Sequence, residues 1–414
     1  MRKKTFLGLT TALAMTVGAT AAMAENIKIA FLEPLSGAFA TTATMGLAQY
    51  QFAADTLVNA KGGVLGGDNF EVLGFDNKMS GKETLVQLQV AIDQGIRFVV
   101  QGNSSGIAHA ITDAVKKHNK RNPDDLVLFL NYSAVDPALT NDKCHFYHFR
   151  FDAHAGIKMD ALTDVMATNE DIKSVYLIGQ DYSFGKAVAA AAENDLSTKR
   201  PDIEIVGNEL HPIGKVKDFT PYARKIVASG ADAVITGNWG SDMVGLGKAI
   251  VEAGFKGPIY TYYAAGGGIT RTIGEAGVGS IYLVQEGNYN PPASQATSDY
   301  ITAFKAKYPD YDITQARITN TLEMLARAID TAGSATDINA IAYALEGMEH
   351  ENLWGGKVKM RPDDHQLIQD VQIAMHTDEG IEFKMDNSPY GLLTQNNVEM
   401  AGMDFPHTCK MKRP

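Results

Sequence analysis

The sequence has very few cysteines, since Cys144 and Cys409 are the only two in 414 residues. With two cysteines only one disulfide pairing exists, so the chain can hold at most one intramolecular bridge. The alternative is two separate buried thiols. We expect the bridge if the chain is exported, because unpaired thiols are a liability in an oxidising compartment.

The sequence also lacks the motifs of catalytic and metal sites. Its loop serines do not stand in the Gly-x-Ser-x-Gly turn of hydrolases. The run Gly266-Gly267-Gly268 is not followed by Lys-Ser/Thr, which excludes a phosphate loop. On a strand His145 and His148 would point to opposite faces, so histidine spacing assembles no zinc site. We therefore expect no enzymatic activity, no metal and no cofactor.

Positive charge and long apolar segments are scarce as well. Lysine and arginine number 37 against 48 aspartates and glutamates, which gives a net charge of −11. An acidic surface disfavours nucleic acid and anionic lipid as partners. Beyond the N-terminus, no run of residues approaches the length of a membrane-spanning helix.

The first 24 residues have the pattern of an export signal. Arg2, Lys3 and Lys4 precede an apolar segment over residues 6–17, and Ala22-Met23-Ala24 is a small-x-small cleavage motif. The pattern predicts a signal peptide over residues 1–24, cleaved after Ala24, and a mature chain that works outside the cytoplasm.

Short apolar runs alternate with helical patterns along the rest of the chain. The predicted strands lie at 27–32, 70–75, 98–100, 126–130, 145–151, 174–178, 203–206, 233–236, 258–260, 280–284, 358–360 and 371–375. Strand–helix alternation on this scale predicts an α/β fold with doubly wound parallel sheets. The length predicts two domains.

Two polar loops, each after a buried strand, form the first candidate for a binding site. The loop 101–106 carries Ser104 and Ser105, and the loop 131–137 carries Ser133. In a parallel sheet such loops share the carboxyl edge, where hydroxyls and free backbone N–H groups suit a small anion. The alternative is that these small residues only form tight turns.

Seven short motifs follow the signal in a fixed order. They are Pro34-Leu35-Ser36-Gly37, the stretch 59–67 (NAKGGVLGG), Gly102-Asn103-Ser104-Ser105, the stretch 133–140 (SAVDPALT), Asp181-Tyr182-Ser183-Phe184-Gly185, Lys217-Asp218-Phe219-Thr220 and Gly230-Ala231-Asp232. In this order the sequence resembles the leucine/isoleucine/valine-binding protein family of type I periplasmic solute-binding proteins, over nearly the whole mature chain.

The resemblance implies two doubly wound parallel-sheet lobes joined by a three-strand hinge. It places residues 25–151 and 288–352 in the N-terminal lobe, and residues 152–287 and 353–414 in the C-terminal lobe and tail. The predicted crossovers lie near Asp152, residues 286–289 and residues 353–356.

The resemblance also implies a mode of action. A small ligand binds between the lobes and closes them by hinge bending, and the closed form docks on ABC permease subunits in the inner membrane. We therefore expect a monomeric periplasmic receptor that binds its ligand without transforming it. The alternative is a ligand-sensing module of the same fold that reports to a signalling partner.

Five residues of the two polar loops are implied as the carboxylate site. In the family the loops matching Ser104, Ser105, Ser133, Ala134 and Val135 hold the ligand carboxylate through hydroxyls and backbone amides. Ser105 and Ala134 match those roles residue by residue. Val135 departs from the pattern, which usually has threonine there, and this removes one hydroxyl donor.

Five aromatic residues are candidates to wall the cleft. In the family the second lobe contributes aromatic walls, and Tyr182, Phe184 and Trp239 stand at the matching strand ends. Tyr263 follows a further predicted strand, and Phe39 lies in the loop after the first one.

One departure from the family bears on the ligand class. Members that bind an α-amino acid commonly place a carboxylate after the strand 258–260, to pair with the ammonium, but this chain has Thr261-Tyr262-Tyr263-Ala264-Ala265-Gly266 there. Either another acid serves, with Asp181 or Asp242 as the nearest candidates, or the ligand has no amine. The family favours a hydrophobic amino acid, and the aromatic residues favour a planar aromatic acid.

We predict that Cys144 and Cys409 form a disulfide in the exported protein. Peptide mapping of periplasmic material under non-reducing conditions should recover the two cysteine-containing peptides as one linked species. Two free thiols in that material would contradict the prediction.

Overall fold

The structure, a computed structural model, describes residues 26–399 and 405–414. The predicted signal peptide and its cleavage site lie outside the described residues. Within the described ranges, no helix is both long enough and apolar enough to cross a membrane.

The strands fall into three sheets. They are β1 (Asn26–Glu33), β2 (Asn69–Asp76), β3 (Phe98–Gln101), β4 (Leu128–Asn131), β5 (His148–Arg150), β6 (Ser174–Gln180), β7 (Glu204–His211), β8 (Ala233–Thr236), β9 (Ile259–Thr261), β10 (Ile281–Gln285), β11 (Glu349–Glu351), β12 (Lys357–Met360), β13 (Leu367–Gln369), β14 (Val371–Thr377) and β15 (Gly391–Val398). The sheets have the orders β2-β1-β3-β4-β5, β15-β14-β10-β9-β8-β6-β7 and β11-β12-β13.

The helices occupy the connections between most of these strands. They are α1 (Ala40–Ala53), α2 (Gly81–Asp93), α3 (Ser105–Arg121), α4 (Ala155–Ala167), α5 (Ser183–Lys199), α6 (Thr220–Ser229), α7 (Gly240–Glu252), α8 (Ile269–Ile273), α9 (Gln295–Lys307), α10 (Arg317–Ala332) and α11 (Ile338–Leu345).

The first lobe is built on a five-stranded parallel sheet with helices on both faces. Side chains alternate along β1, so Ile29 and Phe31 pack in one core with α1, α10 and α11. Ala30 and Leu32 point to the other face and pack with α2 and α3. This alternation is the period of two that a strand imposes, and it confirms the doubly wound fold predicted for this lobe.

The second lobe repeats the arrangement on a larger sheet. Val175 and Leu177 of β6 pack against α4 and α5, while Tyr176 and Ile178 face the core that holds α6 and α7. Strands β6 to β10 are parallel to one another, and β14 and β15 extend the sheet as antiparallel strands. The predicted two-lobe α/β fold is therefore confirmed. The antiparallel direction of β14 and β15 at the edge of the second sheet was not part of the prediction.

The third passage between the lobes differs from the prediction. We expected it at residues 353–356, but Val358, Met360 and Leu367 are buried in the core of the first lobe. The next strand, from Val371, enters the core of the second lobe. The stretches 358–360 and 371–375 flank a turn in the sequence, yet β12 pairs with β13 and not with β14. We therefore propose that the third crossover lies near residues 368–371, in place of residues 353–356.

The C-terminal tail returns from the second lobe to the first. In the structure Cys144 and Cys409 are joined as a disulfide, with their Cα atoms 5.8 Å apart. The Thr408 N–H donates to the Asn141 side chain at 2.8 Å, and Arg413 pairs with Glu346 at 2.9 Å. The tail therefore links the lobes a fourth time.

Candidate functional site

A cavity that is partly open to solvent lies between the lobes, where the carboxyl ends of their strands face each other. The first lobe contributes polar residues to its wall, among them Ser104, Ser105, Ser133 and Arg317. The second lobe contributes five aromatic residues, which are Tyr182, Phe184, Trp239, Tyr262 and Tyr263, together with aliphatic and small residues such as Ile269, Leu283 and Val284. The cavity is thus polar on one side and mainly apolar, with a large aromatic part, on the other.

The loop that follows β3 is held from behind by a buried glutamate. Glu33, at the end of β1, accepts hydrogen bonds from the Gly102 N–H at 2.7 Å, the Asn103 N–H at 3.0 Å and the Tyr132 hydroxyl at 2.6 Å. Beyond this anchor Ser104 has a φ of +83°, a conformation that costs a non-glycine residue energy and that the surrounding bonds must stabilise. Glu33 therefore fixes the turn that delivers Ser104 and Ser105 to the cavity.

Burial dominates the electrostatics of Glu33. Loss of solvation raises the pKa of this carboxyl to about 8, although the bonds from Tyr132 and the two backbone amides act in the opposite direction. Glu33 is consequently protonated near neutral pH, and the loop is anchored without a buried net charge.

Backbone donors at the start of α3 are free to bind an anion. The N–H groups of Ser105 and Gly106 are the first of the helix, and the structure gives them no protein partner among the described residues. The Ser105 hydroxyl oxygen accepts from the Asp136 N–H at 3.2 Å, so its own hydrogen is still available. This end of the helix combines hydroxyls, amides and a favourable dipole.

The second polar loop differs from the prediction at Ala134. Asn131 accepts from the Ala134 N–H at 2.7 Å and from the Ser133 N–H at 3.2 Å, so both amides are occupied within the loop. Ala134 is also absent from the cavity wall, whereas Ser133 and Val135 line it. The Ala134 amide is therefore engaged within the loop and lies outside the cavity wall in this structure.

Four of the five predicted aromatic residues line the cavity. Trp239 donates its indole N–H to the Tyr182 hydroxyl at 2.8 Å, and the ring centroids of Phe184 and Tyr263 are 5.9 Å apart. These contacts orient Tyr182, Phe184, Trp239 and Tyr263 against one another on the second-lobe side of the cavity.

Phe39 takes a different place from the one predicted. It comes from the first lobe but is buried in the core of the second, with its ring centroid 4.3 Å from that of Trp239. A Cβ at Gly240 or Gly214 would lie within 2.8 Å of the Phe39 ring, so both glycines are needed for this approach. Phe39 joins the lobes beside the cavity and does not wall it.

Neither candidate for an ammonium partner reaches the cavity. The Asp181 side chain is 55% exposed and pairs with Lys186 at 3.1 Å. Asp242 is buried but accepts from the Gln180 side chain and the Gly214 N–H, each at 2.8 Å. No aspartate or glutamate is among the described residues that line the cavity.

The sequence reasoning missed Arg317, which is the one charged residue among the described residues of the cavity wall. It belongs to a buried cluster with Asp152, Lys158 and Glu286. A signal was available in the sequence. A cation in the first turn of a helix interacts unfavourably with the helix dipole, so an arginine at that position indicates a role other than stabilising the helix.

Comparisons with known proteins agree with this architecture. A family model described as "Periplasmic binding protein" matches residues 26–380. The Leu/Ile/Val-binding protein homolog 4 of Brucella abortus (strain 2308) is 32% identical over 428 residues, 100% of both chains.

Solved structures give the same result for the fold. The leucine-, isoleucine-, valine-, threonine-, and alanine-binding protein from Brucella ovis, in a closed conformation, is 30% identical with a TM-score of 0.81 and covers 94% of this chain and 100% of its own. A solute-binding protein of an ABC transporter from Rhodopseudomonas palustris HaA2, in complex with p-hydroxybenzoic acid, has a TM-score of 0.75 at 17% identity, with coverage of 91% and 98%. The second likeness concerns the fold alone.

We predict that Glu33→Gln flattens the pH dependence of stability. The native pKa of Glu33 lies above that of the unfolded chain, so native Glu33 keeps a proton that the unfolded chain releases between about pH 4.5 and 8. The free energy of unfolding should therefore fall with rising pH across this window, by up to about 1.4 kcal/mol per pH unit from this group. The amide keeps an acceptor for Gly102 and Asn103 and cannot ionise.

Urea unfolding at pH 5 and pH 8 measures the effect. Glu204→Gln, which removes an exposed carboxylate, is the matched control and should leave the slope unchanged. An equal slope in the wild type and in Glu33→Gln would show that Glu33 does not hold its proton.

Proposed function

The chain belongs to the periplasmic binding protein family, and on that premise we propose that it is the solute-binding component of an ABC-type importer. In this role it captures a small organic carboxylate between its lobes and delivers it to permease subunits in the inner membrane. The predicted signal peptide and the interlobe cavity support the proposal. The ligand is released unchanged, because closure needs only a higher affinity for the closed form.

We further propose that the ligand is an acid without an amine, and the cavity wall is the observation that carries this. No carboxylate side chain lines the cavity among the described residues, while one cation does. Enclosing an ammonium without a counter-charge costs several kcal/mol. A monocarboxylate avoids that cost and can use the hydroxyls of Ser104 and Ser105 and the free amides at the start of α3.

The aromatic wall favours a planar body for the ligand. Tyr182, Phe184, Trp239 and Tyr263 present ring faces and edges to the cavity from the second lobe. Aromatic pairs add about 0.5–1.5 kcal/mol beyond area burial, so a benzoate-like acid would gain contacts that leucine cannot make.

A hydrophobic α-amino acid is the second candidate, and the relatives favour it. The proteins at 30% and 32% identity are named for the binding of leucine, isoleucine and valine. The carboxamide of Gln315 lines the cavity, and its buried oxygen has no partner among the described residues. It could accept a hydrogen bond from an ammonium, but it is neutral and would not balance the charge.

Paired ligands that differ only in the amino group separate the two candidates. We predict that ligand-free protein binds 3-phenylpropanoate at least a hundredfold more tightly than phenylalanine, and 4-methylpentanoate more tightly than leucine. A hundredfold corresponds to about 2.7 kcal/mol, which is within the cost of an uncompensated buried ammonium. Isothermal titration calorimetry measures both pairs, with 4-hydroxybenzoate as the test of the aromatic wall. Tighter binding of leucine or phenylalanine than of its amine-free partner would contradict the proposed ligand class.

A further inference from the structure

Arg317 stands at the start of α10, where the first lobe meets the cavity. Its side chain is about 4% exposed, and it is the only charged residue that the described part of the chain contributes to the cavity wall. Burying a guanidinium costs free energy unless its charge is paired and its N–H groups are hydrogen-bonded.

The donors of Arg317 are only partly used by the protein. A guanidinium has five N–H groups. One donates to Glu286 at 2.6 Å and one to the Ser133 hydroxyl at 2.9 Å. The Nε atom lies 3.3 Å from the Asp152 carboxylate but makes no hydrogen bond within the described structure. Donors therefore remain for a partner that the protein does not supply.

A second donor on the same wall is only partly used. The side-chain nitrogen of Asn103 is buried and makes no hydrogen bond of good geometry in the described structure, although Asn103 lies close enough to Glu33 to lower the pKa of that carboxyl. Asn103 lines the cavity beside Ser104 and Ser105, and Ser133 connects this group to Arg317. These donors and the free amides of α3 therefore line the same first-lobe side of the cavity, where an anionic ligand could accept from them.

The charge of Arg317 is shared with a second cation. Lys158 Nζ lies 2.8 Å from Asp152 and also pairs with Glu286, so it takes part of the negative charge that faces Arg317. Tyr263, which lines the cavity, donates to Asp152 at 3.3 Å. Because Lys158 also pairs with both carboxylates, their negative charge does not fully neutralise Arg317. Lys158 is in this sense a positioning residue.

Protonation of Asp152 would leave this cluster positive. Burial and the neighbouring Glu286 raise the pKa of Asp152 to about 7, against the opposing effect of Arg317 and Lys158. Burial also opposes ionisation of Glu286, but the charges of Lys158 and Arg317 outweigh it and lower its pKa. Near neutral pH the cluster can therefore hold one net positive charge, which an anion would balance.

We propose that Arg317 is the specificity-determining residue of the cavity and that its guanidinium binds the ligand carboxylate from the side opposite the α3 amides. The inference rests on the proposed function, because it requires that a small carboxylate occupies this cavity. In this proposal the Arg317 side chain selects an anionic ligand, and Ser133, Glu286 and Lys158 hold that side chain in its orientation.

The wild-type protein gives the first test. By calorimetry, 4-hydroxybenzoate and 4-hydroxybenzamide are compared, since they share their shape but only the first carries a charge. We expect the acid to bind at least a hundredfold more tightly. Affinities within threefold of each other would overturn the inference without any variant.

The variants then assign the effect to Arg317. Arg317→Gln should lower the affinity for 4-hydroxybenzoate by ten- to a hundredfold and change that for 4-hydroxybenzamide by less than threefold. Arg327→Gln is the control, because it removes the same charge from an exposed position of α10 and should change neither affinity. An Arg317→Gln protein that still prefers the acid as the wild type does would overturn the inference.

Arg317→Gln leaves two buried carboxylates, Asp152 and Glu286, with Lys158 as their only cation, so this variant could misfold. A double variant controls for that outcome. Arg317→Gln with Glu286→Gln retains the Lys158–Asp152 pair and a balanced cluster. It should fold, as judged by thermal unfolding, and lack the preference for the acid. Retention of the full preference in this variant would overturn the inference.

These outcomes are separate from failure of the proposed ligand class. If phenylalanine binds more tightly than 3-phenylpropanoate, the amine-free ligand class is wrong. The role of Arg317 is then decided by phenylalanine and phenylalaninamide, which differ in the carboxylate. Arg317→Gln should abolish the preference for phenylalanine, and an unchanged preference would refute the role.

Discussion

Four charged side chains are buried together where the two lobes meet: Asp152, Lys158, Glu286 and Arg317. Each would cost several kcal/mol if it were buried alone, so each depends on the other three. Asp152 follows the last strand of the first sheet, and Glu286 follows β10 in the second. The cluster therefore lies between the two sheets, beside the wall of the cavity. A ligand that contacts Arg317 would act on the charged cluster where the two lobes meet.

Two further sets of contacts hold the walls of the cavity in place, one in each lobe. On the first-lobe side, Glu33 fixes the turn before α3 through hydrogen bonds and stays neutral because it is buried. On the second-lobe side, Trp239 is held by Tyr182 and by Phe39, which crosses from the first lobe. Polar and aromatic side chains are thus contributed by opposite lobes, and both line the one cavity between them.

Much of the fold could be predicted from local patterns. The alternation of β1 between two cores and the apolar runs of β3 and β4 are visible in the sequence because a strand has a period of two. Helix α4 has no such signal, since Ile157, Leu162 and even Lys158 are buried around its circumference. The pairing of β12 with β13, on which the position of the third crossover depends, could not be predicted, because no local pattern in the sequence encodes it.

Only those residues of the site that lie in loops at the ends of strands could be predicted from the sequence. Ser104, Ser105 and the aromatic residues follow predicted strands, and the fold brings strand ends together. Arg317 and Glu33 acquire their roles from burial and from partners such as Tyr132 that are distant in sequence. Asp181 illustrates the converse, because it stands next to the aromatic motif in the sequence, yet its side chain is exposed and pairs with Lys186 in the structure.

The central claim is that the cavity holds a carboxylate without an amine. Mass spectrometry of the protein purified without refolding, first native and then after denaturation to identify any released molecule, tests the claim directly. We predict that the released ligand is an amine-free carboxylic acid with an aromatic ring. Recovery of leucine, isoleucine, valine or another α-amino acid in stoichiometric amount would contradict the claim.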